Sequence, residues 1–329
     1  MLTPATRPAV ENPGFRRMFA AGRLTLGVFF PIEAFEGDRP SMAGQEDLAA
    51  RAEALGFAAL WFRDVPLRVP AFGDVGQVYD PWVYLGTILA RTRSIALATG
   101  AVVLPLRHPL HTAKAAASVD RLSGGRFVLG VASGDRPEEF PAFGQDIEAR
   151  GETFRENLRV MRQAWAESFP AIDSPYGRLS GADPVPKPIA ASVPLLVTGQ
   201  SRQTLQWIAR EADGWVTYPR PLERQADAAR LWRTAVEGAA PGAFKPMAQS
   251  LYVDLAERPD AAATPIHLGI RAGSDVLREH LRGLKAAGVN HVALNLKYGA
   301  RPAAEVMEEI GERVLPEFPA AAPLEALPA

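Results

Sequence analysis

Two short segments of the chain have residue types that could hold a flat, charged ligand. Ala98–Thr99–Gly100–Ala101 places small side chains within one apolar run, which leaves room beside the backbone for a ring system. The alternative is the ordinary alternation of large and small side chains inside a barrel. Thr198–Gly199–Gln200–Ser201 joins an apolar run to a helical pattern. Glycine, hydroxyl groups and free N–H groups there suit a phosphate, and a simple Ser201 N-cap is the alternative.

The histidines and acidic residues do not indicate a metal centre. His108 and His111 stand three apart, so they either ligate a metal or orient the start of a helix. The second interpretation is favoured because no third ligand lies nearby in the sequence. Glu138–Glu139 could act as an acid or base, but a solvated loop is the favoured interpretation. The other histidines, His267, His280 and His291, are expected to be surface or packing residues.

The chain lacks the motifs of several common enzyme classes. It has no G-x-G-x-x-G, the motif of dinucleotide-binding folds, and no G-x-x-x-x-G-K-[ST], the motif of P-loops. It also has no G-x-S-x-G, the motif of the hydrolase nucleophile elbow. The absence of cysteine excludes disulfides, thiolate catalysis and thiolate metal sites. A formal net charge of −1 gives no reason to expect nucleic acid or a membrane surface as a partner.

The length and hydropathy predict a single soluble, cytoplasmic domain over residues 1–329. No stretch reaches the roughly 18 apolar residues of a membrane span, and the charged N-terminus does not resemble a signal peptide. Within this domain, residues 1–23 are interpreted as an N-terminal arm and 319–329 as a tail. The proline-rich segment 169–194 either wraps the side of the domain or folds as a lid.

Apolar runs alternate with amphipathic stretches along the whole chain. Eight strands alternating with eight helices predict the α/β class and a (β/α)8 TIM barrel. Long insertions follow the first, second and fourth strands, at 31–44, 64–80 and 132–147. In a barrel these three loops share the C-terminal face, where active sites lie. The predicted strands are 24–30, 58–62, 95–104, 127–131, 195–198, 215–217, 249–255 and 289–296.

Two longer segments resemble the bacterial luciferase-like flavin oxidoreductases. They are LPLRHPLHTAKAAASVDRLSGGRFVLGVASG (104–134) and VPLLVTGQSRQTLQWIAREADGW (193–215). ALWFRDVP (59–66) and NHVALNLKYGARPAAEV (290–306) fit the same family, and the resemblance covers roughly residues 15–318. The forms RDVP and RHPLHTAKAAASVD are similar to a subgroup described only as luciferase-type oxidoreductases.

The resemblance implies an FMN site at the C-terminal ends of the strands. Its ring system would lie against the third strand, with a non-prolyl cis peptide near Ala101–Val102. Its phosphate would lie between the ends of the fourth and fifth strands. Asp120 and Arg126 are interpreted as a structural ion pair. The implied cofactor contacts are Arg63, Thr99, Gly100, Ala101, Val102, Ser133, Gly134, Gly199, Gln200 and Ser201.

The candidate catalytic residues are His108, Arg107 and Asp64. His108 is the expected acid–base group. Arg63 and Arg107 would stabilise negative charge developing near the flavin, and salt bridging within the loops, for instance from Arg63 to Asp64 or Asp80, is the alternative. Luciferase carries a catalytic histidine where this chain has Arg63–Asp64, and a cysteine at about the position of Ala132. Light emission is therefore not expected.

The expected function is a monooxygenase reaction that uses reduced FMN and O2 on a small organic substrate. A separate flavin reductase or NAD(P)H would supply the electrons, and family members are commonly homodimers. The aromatic residues expected to form apolar walls are Phe29, Phe30, Trp61, Trp215 and Tyr218.

Three alternatives remain open at this point. The first is hydride transfer with the deazaflavin coenzyme, and the second is a non-catalytic flavin-binding protein. The third is a flavin-free aldolase or isomerase, which is disfavoured because Lys297 is the only lysine at a recognisable strand end.

Overall fold

The computed structural model describes residues 11–322, and a closed ring of eight parallel strands forms its centre. In chain order the strands are β1 (Thr25–Phe29), β2 (Ala59–Phe62), β3 (Ala96–Thr99), β4 (Val102–Val103), β5 (Phe127–Ala132), β6 (Ile172–Ser174), β7 (Gly177–Leu179), β8 (Leu195–Thr198), β9 (Gly214–Thr217), β10 (Met247–Leu255), β11 (Thr264–Ile266), β12 (Gly269–Ala272) and β13 (His291–Asn295). The ring runs β1–β2–β3–β5–β8–β9–β10–β13 and closes where β13 pairs with β1.

Helices surround the ring and alternate with its strands. They are α1 (Pro13–Met18), α2 (Gln45–Leu55), α3 (Pro81–Arg91), α4 (Pro109–Leu122), α5 (Glu139–Ala142), α6 (Arg150–Ala166), α7 (Leu205–Glu211), α8 (Leu222–Ala239), α9 (Ser274–Ala287) and α10 (Ala303–Arg313). The predicted (β/α)8 barrel is confirmed. No helix among residues 11–322 is long and apolar enough to cross a membrane.

The third predicted strand is interrupted in the structure. β3 ends at Thr99 and β4 begins at Val102, because the Gly100–Ala101 peptide between them is cis. The expected position of this cis bond, near Ala101–Val102, was one residue too late. Beyond the break, β4 continues the pairing with β5.

The predicted N-terminal arm is in part a plug for the barrel. Asn12 caps α1 by accepting a hydrogen bond from the Phe15 N–H at 2.8 Å, and Pro13 starts the helix. Phe15, Met18 and Phe19 then pack against the apolar side chains inside the ring. Residues 1–10 and 323–329, which belong to the predicted arm and tail, lie outside the described residues.

The proline-rich segment 169–194 wraps the side of the barrel. It contains the antiparallel pair β6–β7, and its carbonyls bind cations of the neighbouring helices. Lys114 Nζ donates to Val185 O at 2.9 Å, and Arg121 Nε donates to Lys187 O at 2.8 Å. Of the two interpretations of this segment, wrapping is therefore the one the structure supports.

The predicted ion pair between Asp120 and Arg126 is wrong, because each side chain binds backbone groups instead. Asp120 Oδ2 accepts from the Ile189 N–H at 2.8 Å, and burial raises the pKa of this carboxyl. Arg126 donates to the carbonyls of Ile95, at 2.8 Å, and of Thr92, at 3.2 Å. The Arg126 bonds hold the N-terminal ends of β3 and β5 together.

Inside the ring, the buried side chain of His291 connects Trp61 to Thr25 through hydrogen bonds. Trp61 Nε1 donates to His291 Nε2 at 2.9 Å, which leaves the imidazole proton on Nδ1. That nitrogen lies 2.7 Å from Thr25 Oγ1, and the Thr25 hydroxyl donates to Met18 O at 2.6 Å. Burial lowers the pKa of His291 to about 3, so the ring is neutral and every polar atom is satisfied.

We expect His291 to make stability depend on pH. The unfolded chain binds a proton here below about pH 6.5, but the folded chain does not until about pH 3, so stability falls on acidification. This site should cost about 2 kcal/mol between pH 7 and pH 5. In urea unfolding, the free energy of unfolding of His291→Gln should fall by about 2 kcal/mol less between pH 7 and pH 5 than that of the unchanged protein. The control His111→Gln, on the exposed face of α4, should show the full fall. An unchanged pH slope in His291→Gln would contradict the assignment.

Candidate active site

A cavity of about 550 Å³ lies at the C-terminal ends of the ring strands. The three long loops were expected to emerge on this face, and the loops 64–80 and 132–147 supply part of its lining. Each ring strand, or the residues directly after it, contributes at least one lining residue. One from each, in chain order, is Phe29, Arg63, Gly100, Ser133, Thr198, Thr217, Tyr252 and Asn295.

Small residues form one part of the cavity wall. Gly100 and Ala101 line the cavity, whereas Thr99 and Val102 do not. Thr99 Oγ1 instead donates to Gly130 O at 2.8 Å and accepts from the Gly130 N–H at 2.9 Å. A Cβ on Gly100 would come within 2.9 Å of Trp61 and 3.1 Å of Phe29, so glycine keeps this wall flat.

The residues predicted to hold a phosphate meet at a second part of the cavity. The Ser133 N–H donates to Ser201 Oγ at 3.2 Å, and Ser201 Oγ donates to Thr198 O at 2.9 Å. Gly134, Gly199, Gln200 and Ser201 line the cavity beside them.

The turn after β8 is stabilised by left-handed backbone and by the helix that follows. Gly199 and Ser201 have φ values of +59° and +47°. Ser201 does not cap α7, because that helix begins at Leu205 and Thr204 Oγ1 accepts from the Trp207 N–H at 3.2 Å. The turn 199–201 therefore lies outside the helix, and it is held to β9 by the Gly199 N–H, which donates to Val216 O at 2.8 Å.

Two arginines that the sequence analysis did not single out border this turn. Arg150 begins α6 and Arg202 follows Ser201, and both line the cavity. Gln203 Nε2 donates to Gly151 O at 2.9 Å, which holds the start of α6 against the turn. Arg202 pairs with Glu148 at 3.2 Å. The cavity therefore has cationic groups beside its hydroxyl and glycine residues.

Arg63 binds Asp74 rather than Asp64 or Asp80. Its Nη2 lies 2.9 and 3.0 Å from the two carboxylate oxygens of Asp74. Asp74 also accepts from the Gly76 N–H at 2.8 Å and from Tyr252 Oη at 3.1 Å. Burial opposes ionisation of Asp74, but Arg63 and the Gly76 N–H outweigh it and hold the pKa of this carboxyl below its usual value.

Asp64 and Arg107, both predicted to be catalytic, are bound to each other. Asp64 lines the cavity, but its oxygens accept from Arg107 Nε at 2.8 Å, Arg107 Nη2 at 2.7 Å and the Val103 N–H at 3.1 Å. Arg107 also donates to Asp80 Oδ2 at 2.8 Å and is not part of the cavity lining. The geometry gives this pair a bracing role between the loop after β2 and the segment after β4.

The structure does not bring His108 to the cavity. Its side chain is exposed and caps α4, with Nδ1 accepting from the Leu110 N–H at 3.2 Å. Its ring packs against Tyr176 and His111 at 5.6 and 5.8 Å between centroids. Of the two interpretations of His108 and His111, the structure therefore agrees with the one in which they lie at the start of a helix and orient it. Among residues 11–322, no group of three or more side chains is placed to hold a metal.

His267 is the histidine that lines the cavity. It stands in the two-residue turn between β11 and β12, a hairpin inserted between β10 and α9. Its ring lies 6.1 Å from that of Tyr252 and 6.0 Å from that of Tyr298. Little in the sequence pointed to this position, because His267 stands between Ile266 and Leu268 with no recognisable motif around it.

Of the five aromatic residues expected to wall the site, Phe29 and Tyr218 line the cavity. Phe30 faces the outer layer and packs against Phe62 and Tyr84, because adjacent residues of a strand point to opposite faces. Trp61 fills the interior of the ring, and Trp215 packs against Trp232 of α8. Ala132, at the position where luciferase has a cysteine, also lines the cavity.

Lys297 ties two loops together at the edge of the site. Its buried Nζ donates to Gly37 O at 2.7 Å and to Gly73 O, and it lies over the Phe35 ring at 4.6 Å. Burial lowers the pKa of this ammonium group. Lys297 is not part of the cavity lining, which leaves the aldolase alternative without its lysine.

The chain belongs to the luciferase-like monooxygenase family, whose model matches residues 24–320. It is 34% identical over 242 residues to an uncharacterized protein of Mycobacterium tuberculosis, covering 68% of this chain and 83% of that one. It is 30% identical over 228 residues to the 4-hydroxyprotoasukamycin monooxygenase of Streptomyces nodosus subsp. asukaensis, covering 66% of this chain and 60% of that one.

Solved structures of similar fold include enzymes with two kinds of cofactor. The monooxygenase RslO1 from Streptomyces bottropensis has a TM-score of 0.74 at 22% identity, covering 89% of this chain and 99% of that one. An F420-dependent secondary alcohol dehydrogenase has a TM-score of 0.72 at 18% identity, covering 90% and 98%. The oxygenating constituent of the Pseudomonas putida 3,6-diketocamphane monooxygenase, in complex with FMN, has a TM-score of 0.67 at 16% identity, covering 90% and 99%.

We expect Asp74→Asn to destabilise the protein by about 3 kcal/mol, because it leaves the largely buried Arg63 guanidinium without its counter-charge. Urea unfolding measures the loss. Limited proteolysis should show earlier cleavage within residues 64–80. The matched control is Asp47→Asn, whose exposed pair with Arg91 should contribute less than about 1 kcal/mol. Equal effects of the two substitutions would show that the Arg63–Asp74 contact does not hold the loop.

Proposed function

We propose that the chain is a flavin-dependent oxidoreductase of the monooxygenase type, which uses reduced FMN and O2 on a small organic substrate. The observation that carries this proposal is the pairing of two features in one cavity. One is the flat glycine wall at Gly100–Ala101, and the other is the turn of hydroxyl and glycine residues at Ser133–Gly134 and Gly199–Ser201. Family membership and the FMN complex of a structural neighbour support the same proposal.

The residues present fit FMN at both ends. Gly100 packs so closely on Phe29 and Trp61 that a side chain there would disturb the wall against which a ring system would lie. At the other end, Thr198 Oγ1 is buried and has no hydrogen-bond partner within residues 11–322. A phosphate oxygen would give this hydroxyl an acceptor, and Arg150 would supply positive charge.

When bound, FMN supplies the redox chemistry, since reduced flavin can pass electrons to O2. The chain supplies binding, orientation and exclusion of water. Phe29 and Ala101 present apolar surface at the inner end of the cavity. The Arg63–Asp74–Tyr252 contacts hold the loop 64–80 against the end of β2 and against β10. His267 replaces His108 as the candidate for moving a proton at the mouth, since its imidazole borders the cavity.

The deazaflavin coenzyme is the second candidate cofactor, with hydride transfer in place of oxygen chemistry. One observation supports keeping it: the F420-dependent alcohol dehydrogenase superposes about as well as the monooxygenases do. A flavin-storage protein is the non-enzymatic alternative. A separate flavin reductase and a homodimeric state also belong to the proposal.

We expect the purified protein to bind FMN, and binding should shift the visible absorption bands of the flavin. Parallel titrations with FMN and with the deazaflavin coenzyme compare the two dissociation constants. Tighter binding of FMN, together with O2 uptake that depends on NAD(P)H or a flavin reductase, supports the proposal. Tighter binding of the deazaflavin would favour hydride transfer, and FMN binding without O2 uptake on any substrate would favour storage. Binding of neither cofactor would falsify both enzyme assignments.

We expect Arg150→Gln to weaken FMN binding about tenfold and to leave riboflavin binding nearly unchanged, because only FMN carries the phosphate that Arg150 would meet. Fluorescence titration of both flavins gives the comparison. Arg155→Gln is the matched control, since Arg155 lies on the same helix with its side chain 49% exposed. Equal losses for FMN and riboflavin would place the phosphate elsewhere.

A further inference from the structure

The mouth of the cavity has an outer chamber, defined here by Phe72, Arg136, Tyr252 and His267. These four residues come from the loop 64–80, the loop after β5, the strand β10 and the β11–β12 turn. Two of them are connected through Asp74, whose side chain accepts from Tyr252 Oη at 3.1 Å and whose carbonyl accepts from Arg136 Nη2 at 2.9 Å. Phe72 packs under the Arg136 guanidinium, and the His267 ring lies 6.1 Å from that of Tyr252. The proposed phosphate turn is a separate part of the cavity. Tyr218 belongs to that turn, since a Cβ on Gly199 would lie 3.8 Å from its ring.

The outer chamber presents aromatic surface that the protein itself does not cover. Phe72 is 41% exposed and lines the cavity, and Leu268 beside His267 is 38% exposed. Tyr252, by contrast, is largely buried against Tyr298, with ring centroids 4.9 Å apart. Uncovered apolar side chains at the rim of a cavity are typical of ligand-binding sites. Rings in such positions favour flat partners, because aromatic pairs gain from stacked or edge-to-face contact beyond the area they bury.

One polar group of the outer chamber lacks a partner. The Arg136 guanidinium lies over the Phe72 ring, with Cζ 4.7 Å from the centroid. Its Nη2 binds Asp74 O, but its Nη1 is buried and has no hydrogen-bond partner among the described residues. A buried donor without an acceptor is unfavourable, so an acceptor oxygen on a ligand would stabilise this position.

We propose that the outer chamber binds a planar ring compound with an acceptor oxygen, and that such compounds are the substrate class of this site. The ring would contact Phe72, and the oxygen would accept from Arg136. This inference rests on the proposed function, in which FMN occupies the glycine wall and the phosphate turn. A linear aliphatic compound could bury apolar area in the same chamber, but it would gain nothing from the ring contacts.

The test compares two probes that share ten carbons and one oxygen, 2-naphthol and 1-decanol. Both are titrated into the FMN-loaded protein, with calorimetry for affinity and the flavin absorbance bands as a second readout. We expect 2-naphthol to bind more tightly and to perturb the flavin spectrum. Equal or tighter binding of 1-decanol would overturn the inference.

Two substitutions locate the binding site. Phe72→Leu removes the ring but keeps apolar bulk, so 2-naphthol should bind about two- to tenfold more weakly, whereas 1-decanol should be unaffected. Arg136→Gln should weaken 2-naphthol by a similar factor, about two- to tenfold, because a shorter, neutral amide replaces the charged guanidinium donor. The controls are Phe143→Leu, which alters a 42%-exposed phenylalanine outside the cavity lining, and Arg155→Gln. No difference between the Phe72 and Phe143 variants would refute the outer chamber as the ring site.

FMN titrations of the same protein samples separate this inference from the proposed function. Unchanged FMN affinity in Phe72→Leu, together with weaker 2-naphthol binding, supports both. A protein that binds FMN but prefers 1-decanol would lose only the substrate class. If FMN does not bind, the proposed function fails, and calorimetry with the two probes on the cofactor-free chain still decides whether the chamber selects rings.

Discussion

Eight parallel strands that close into a ring must all end at one rim, and the candidate site depends on this constraint. Closure also requires small side chains where neighbouring strands approach inside the ring. Gly130 shows this most sharply, because a Cβ there would lie 1.9 Å from Thr99 O. At Gly27 a Cβ would lie 2.8 Å from His291 Nε2 and 2.9 Å from Trp61 Nε1, so these two side chains fill the space that glycine leaves. Their hydrogen bonds connect the interior to the α1 plug. The rim above then remains open as a cavity.

The loops at the rim are ordered by ionic and backbone contacts more than by an apolar core of their own. Lys297 holds the loops after β1 and β2 through the carbonyls of Gly37 and Gly73. Asp74 fixes the second loop to Arg63 on one side and Tyr252 on the other. Buried charges of this kind stabilise one arrangement because each has several partners, and a single lost partner leaves a costly group behind. The shape of the cavity mouth therefore depends on a few charged side chains.

The sequence predicted the ring strands well because a strand buried on both faces is a continuous apolar run. It also predicted that Gly199–Ser201 would follow a strand end, since glycine and hydroxyl residues stand out beside such runs. It placed Gly100–Ala101 inside the third strand, which in the structure ends at Thr99. It missed Asp74, Arg136, Arg150 and Tyr252, because their roles arise from contacts between distant segments. Asp74 and Tyr252 are 178 residues apart and meet only when the ring closes. His108 was chosen for its residue type, but the start of α4 turns it outward.

At the end of β2, two charged side chains have structural partners elsewhere in the barrel. The family resemblance places a luciferase histidine at this position, where the chain instead has Arg63 and Asp64. Arg63 is paired with Asp74 and Asp64 with Arg107, so both groups hold loops in place. His267 enters the same cavity from the hairpin after β10, on a different element of the barrel. Because an inserted hairpin can change without disturbing the ring, a residue carried on it can vary independently of the residues that shape the cavity.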